Sequence, residues 1–149
     1  MKDTNEMEIL FDSRSENEGF ARVAAFMTQL NPTVEEVSDV KTAVSEAVTN
    51  AIIHGYDNQI CKVSIRCSVR GKELMVEVRD TGKGIENIKQ AMTPMYTSKP
   101  ELERSGMGFS FMEAFMDNVH VISEPGEGTR VIMKKSIGKE RETWITQSL

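Results

Sequence analysis

Apolar and polar positions change period several times along the 149-residue chain, and each change marks an element. Residues 7–12, Met7-Glu8-Ile9-Leu10-Phe11-Asp12, read as a first strand. Ser15 and Glu18 then fit a capping box, with Ser15 as N-cap and Glu18 at the third helical position. Phe20, Val23, Ala24 and Met27 follow at helical spacing until Asn31-Pro32 stops the run. A second box, Thr33 to Glu36, opens a longer helix whose apolar face is Val37, Val40, Val44, Ala47, Val48, Ala51 and Ile52. It is expected to end at His54-Gly55, with glycine in the C-cap position. Residues 61–69 and 73–79 alternate at period two, and Gly71-Lys72 between them suits a tight hairpin turn.

From residue 81 to residue 108 the periodicity dissolves into glycines, polar residues, Pro94 and Pro100. A stretch of that length in a compact domain is usually a functional loop or lid. Residues 109–116 form a short apolar helix, and residues 119–123 and 129–135 make a second hairpin across Glu124-Pro125-Gly126-Glu127-Gly128. The tail from Ser136 is polar apart from Trp144 and Ile145 and reads as a frayed helix or disorder. Hairpin-linked strands with interspersed helices predict an α+β two-layer sandwich, helices on one face of a mixed, mostly antiparallel sheet. The length prior assigns one domain, residues 1–136, and a tail, residues 137–149.

Composition narrows the function classes. A hydrophobic fraction of 39% and a charged fraction of 28% are ordinary globular values. With Lys+Arg 18 against Asp+Glu 23, the formal charge of -5 lacks the basic footprint of a direct nucleic-acid binder. No apolar run approaches the roughly 18 residues of a membrane span, and residues 1–6 lack a signal-peptide layout. The expectation is a soluble cytoplasmic protein without a membrane partner. Cys61 and Cys67 sit on one face of a single strand, which cannot close a disulfide on itself over that distance. Without a CxxC or a Cys/His cluster they read as small strand hydrophobes rather than zinc ligands.

Three constellations carry chemistry. Glu46 and Asn50 lie four apart in the second helix, so they project from one face about one turn apart. A carboxamide there suits direct ligation of Mg²⁺ and a carboxylate suits proton acceptance, although such a pair is also an ordinary solvated helix surface. Asp80-Thr81-Gly82-Lys83-Gly84 follows an alternating strand. An acid before G-x-G lets backbone approach a flat ligand while the carboxylate accepts from an exocyclic amine; the plain alternative is an Asp/Gly turn. Arg104-Ser105-Gly106-Met107-Gly108-Phe109 runs into a helix start. Free N–H groups and the positive dipole end favour a phosphate there, with Arg104 or Lys99 adding charge, or the glycines merely cap the helix.

In their order and separation, E-x-x-x-N on a helix, D-x-G-x-G after a strand and S-G-x-G before a helix resemble the N, G1 and G2 boxes of the gyrase, Hsp90, histidine kinase and MutL ATPase superfamily. Within it, the run from Val44 to Tyr56 resembles the anti-sigma serine kinases, and Thr97 to Phe109 resembles their sporulation, anti-sigma-F branch. The likeness extends over about residues 7–135.

The resemblance implies a Bergerat fold that binds ATP or ADP with Mg²⁺ between helices and sheet, under a lid over about residues 86–104. It assigns Asn50 to Mg²⁺, Asp80 to the adenine amine, and Gly82 and Gly84 to the base pocket. Lys99, Arg104, Ser105, Gly106 and Gly108 would hold the phosphates, and Thr129 would sit near the adenine. Glu46 would be the general base for a substrate serine. The family homodimerises, sequesters a sigma factor and phosphorylates an anti-anti-sigma protein, with Arg22 on the partner-binding surface. Two alternatives stand beside this one: the stress-response kinase controlling sigma-B, and a nucleotide-dependent sigma-binding module with negligible kinase activity. A sensor histidine kinase, chaperone or topoisomerase fits poorly, because the chain has no room for their additional domains.

Overall fold

The computed structural model describes residues 4–12, 16–52, 62–81 and 108–138. In chain order the elements are strand β1 (Thr4–Asp12), helix α1 (Glu16–Met27), helix α2 (Val34–Asn50), strands β2 (Lys62–Arg70) and β3 (Glu73–Asp80), helix α3 (Gly108–Phe115), and strands β4 (Asn118–Glu124) and β5 (Gly128–Ser136). A short 3₁₀ turn, Thr28–Leu30, closes α1, and Asn31 turns the chain at a left-handed φ of 53° before Pro32. The expected Ser15 cap and the His54-Gly55 helix end lie outside the described residues.

The second capping box forms as the sequence predicts. Thr33 Oγ1 accepts from the Glu36 backbone N–H at 3.0 Å, and Glu36 Oε1 accepts from the Thr33 N–H at 2.8 Å. Two of the four orphan donors at the helix start are thereby satisfied. At the other end Ala51 remains helical, its N–H shared between the carbonyls of Ala47 and Val48, so the Asn50 backbone is held in the helix.

The strands form one sheet in the order β1-β2-β3-β5-β4, and all four pairs are antiparallel. Side-chain parity makes the sheet two-faced. Ile9, Ile65, Val78, Val131 and Val121 align in one row across the helix-covered face, and Met7, Cys67, Val76, Met133 and Val119 in the next. Val40, Ala43, Val44, Ala47 and Val48 of α2, Val23 and Met27 of α1, and Met112 of α3 bury against these rows to complete the core. Ala43, absent from the expected apolar face, is fully buried. The opposite face carries the charged parity, including buried Glu77 paired with Arg130 at 2.7 Å.

Cys67 is fully buried, and burial pushes its thiol up to about 12; Cys61 lies outside the described residues. Ile137 is fully buried and its N–H bonds the Lys72 carbonyl, while the Gly138 N–H donates to Glu36 Oε2 at 2.9 Å. A lone isoleucine in a polar stretch has no periodicity to announce it, which is why the sequence reading passes over it.

Candidate functional site

At one end of the helix-covered face the apolar rows give way to a polar one. Asp80 ends β3 on the same parity as Val76 and Val78, so its carboxylate is turned toward the helix layer rather than toward solvent. Thr129 of β5 is its direct register partner, and Ser123 of β4 is the register partner of Thr129. Asp80 is 6% exposed and Thr129 9%. Burial of a carboxylate and a hydroxyl at the edge of a core is costly unless both have partners, and both have them here.

The row is tied together on the β4–β5 side. Ser123 Oγ donates to the Gly128 carbonyl at 3.0 Å and lies 2.8 Å from Thr129 Oγ1. Gly128 itself is indispensable for the approach of β5 to β3. Its φ is +93°, and a Cβ built on it would lie 2.2 Å from the Asp80 carbonyl oxygen and 2.7 Å from Thr81 Cα. Only a residue without a side chain lets the two backbones come this close. Neither Ser123 nor Gly128 stands out in the sequence motifs. The available signal was parity: Val119 and Val121 point inward, so a serine two residues on is a polar group at an inward position.

Helix α2 packs on β3, α1 and α3, and it carries Glu46 and Asn50 in half-buried positions one turn apart. The structure therefore puts this acid–amide pair on the helix layer that covers the face bearing the Asp80 row. Gly108 opens α3. Arg22 is exposed on α1. Gly82, Gly84, Lys99, Arg104, Ser105 and Gly106 lie outside the described residues, as does the expected lid. Among the described residues no cluster of three or more His, Cys, Asp or Glu side chains could hold a metal ion. No helix among them is long and apolar enough to cross a membrane.

Comparison with known proteins agrees with this architecture. The family model described as "Histidine kinase-like ATPase domain" matches residues 15–135. The anti-sigma F factor of Clostridium kluyveri is 63% identical over 133 residues, covering 88% of this chain and 94% of that protein. That of Thermoanaerobacter sp. (strain X514) is 54% identical over 143 residues, covering 95% of this chain and all (100%) of its own. Among solved structures, the RsbU and RsbW domains of Rv1364c from Mycobacterium tuberculosis superpose with a TM-score of 0.64 at 16% identity, covering 89% of this chain and 32% of that one. A blue-light activated histidine kinase of Erythrobacter litoralis gives 0.59 at 20% identity, covering 82% and 42%. These two likenesses concern the fold alone. With the domain match and relatives of this identity over nearly the whole chain, the chain belongs to the anti-sigma F factor family and is built on a histidine kinase-like ATPase domain.

Proposed function

We propose that this chain sequesters a sporulation sigma factor, sigma-F, and phosphorylates an anti-anti-sigma protein on serine with Mg·ATP. The observation that carries the nucleotide part is the buried row in which Asp80 and Thr129 stand side by side, facing the helix layer that bears Glu46 and Asn50. Relatives named anti-sigma F factor support sigma-F over sigma-B as the sequestered partner.

The donors present fit the group. A buried carboxylate accepts hydrogen bonds and offers none, which matches the exocyclic amine of adenine. Mg²⁺ in a nucleotide site takes one or two protein oxygens and fills its remaining positions with phosphates and water. The amide oxygen of Asn50 is such a ligand, and no carboxylate cage is required. Bound Mg·ATP would supply the γ-phosphoryl group, with the metal neutralising charge on the phosphates.

The chain's own residues then have distinct tasks. Asp80 fixes the base, with Gly82 and Gly84 shaping the pocket around it. Ser105, Gly106 and Gly108 would be the phosphate-binding positions, with Lys99 and Arg104 adding charge. Glu46 orients the serine hydroxyl of the substrate protein and accepts its proton as the transition state develops. Arg22, exposed on α1, contributes to the surface for the sigma factor or its antagonist. The active species is a homodimer in the cytoplasm.

The test is transfer of labelled γ-phosphate from Mg·ATP to the purified anti-anti-sigma protein, with Glu46→Gln alongside. Transfer to serine that disappears in the variant supports both the kinase and its base. ATP binding without transfer would favour a sigma-holding module with negligible kinase activity. No ATP binding at all would overturn the nucleotide reading.

A further inference from the structure

Lys135 stands where the inward parity of β5 calls for another core residue. Met133, two positions before it, and Leu74, its register partner on β3, are both fully buried. The lysine side chain is only 15% exposed, and a charge so placed is costly unless it is met. Two groups meet it. Its Nζ donates to the Phe115 carbonyl at 2.7 Å, at the last residue of α3, and lies 4.0 Å from Asp39 Oδ2 on α2. A cation at a helix C-terminus satisfies a carbonyl that the helix leaves open and complements the negative end of its dipole. One ammonium thus joins β5, α3 and α2.

The far ends of the two helices bear on the candidate site. Helix α3 has eight residues, so Lys135 grips one end of a rod of about 12 Å whose other end is Gly108. On α2, Asp39, Ala43, Glu46 and Asn50 recur at spacings of four, three and four, which puts them on one stripe. Asp39 is the foot of that stripe and the acid–amide pair is its head. The two helices also pack on each other. Apolar packing is non-directional and lets helices slide, whereas a hydrogen bond and an ion pair fix their register.

We propose that Lys135 is a positioning residue for the phosphates: by holding the C-terminal end of α3 to α2, it sets the placement of Gly108 relative to Glu46 and Asn50. The inference rests on the nucleotide reading above and adds to it the residue that aligns the two helices of the phosphate side. The Asp80–Thr129 row belongs to the sheet, so recognition of the base and of the phosphates should separate when this contact is cut.

The experiment measures dissociation constants for Mg·ATP and for adenosine, which has no phosphates, by calorimetry on the unaltered chain, Lys135→Met, Lys135→Arg and Asp39→Asn. Lys135→Met should weaken Mg·ATP about tenfold and adenosine less than about twofold, because only the phosphates feel a shift of α3. Lys135→Arg, which can still donate to the carbonyl and meet the carboxylate, should restore the Mg·ATP value. Asp39→Asn should move the ratio in the same direction, and it should add nothing in a Lys135→Met background, where the contact is already gone. It also carries the test if Lys135→Met does not fold. Unchanged Mg·ATP affinity in these variants would overturn the proposal. So would an equal weakening of both ligands, the mark of a purely structural role. If the unaltered chain bound neither ligand, the underlying nucleotide reading would fall and the proposal with it. Binding of Mg·ATP with an unmoved ratio on substitution refutes the role of Lys135 alone.

Discussion

Gly128→Ala tests the meeting of β5 with β3 on which the site depends. The added Cβ falls short of ordinary contact with the Asp80 carbonyl oxygen by about 1.2 Å, and the opposing atoms are backbone, so no rotamer change relieves the clash. The φ of +93° adds strain of about 1–3 kcal/mol for any residue with a side chain. Gly126 is an internal control in the same hairpin. Its φ is +83°, but a Cβ there meets nothing within 4 Å, so Gly126→Ala carries the backbone strain without the collision. Urea unfolding should place Gly128→Ala about 1–2 kcal/mol below Gly126→Ala, the extra cost of overpacking. To make room, the ends of the two strands must separate, which carries the Asp80 carboxylate away from Thr129. Calorimetric ATP affinity should therefore fall at least about tenfold in Gly128→Ala and stay near that of the unaltered chain in Gly126→Ala. Equal stability and equal affinity of the two variants would refute the argument that this close approach shapes the site.

Three further outcomes follow from individual contacts. Asp80→Asn should weaken ATP binding by about tenfold or more with a thermal midpoint within a few degrees of the unaltered chain, since the substitution exchanges an acceptor for a donor without changing volume; calorimetry and thermal unfolding together check it. Glu36→Ala removes one arm of the capping box and the acceptor of the Gly138 N–H, and should cost about 1–2 kcal/mol in denaturant unfolding. Cys67, pushed up to about 12, stays a neutral thiol in the folded chain while the unfolded chain ionises near the ordinary thiol value. The folded state then holds the extra proton, so this contribution is fully present below about pH 8.5 and is lost as pH rises toward 12; Cys67→Ala should flatten that alkaline slope.

What the sequence determined by itself was local. The Thr33–Glu36 box, the Asn31-Pro32 stop, the period-two runs of β2 and β3 and the Gly71 turn were all legible, because each rests on interactions between residues a few positions apart. The acid–amide pair Glu46 and Asn50 was legible for the same reason, since helix geometry alone sets their spacing. Strand pairing is decided differently, because no local signal says which edge a strand will join. Only the tertiary structure inserts β5 between β3 and β4, and that insertion brings Thr129 beside Asp80 and Ser123 beside Thr129. The same non-local choice makes Gly128 obligatory, buries Ile137, and sends the second oxygen of Glu36 to Gly138 across 102 positions of sequence. Backbone hydrogen bonding is indifferent to side chains; what selects the order is burial of the apolar rows, a property of the whole sheet under its helices.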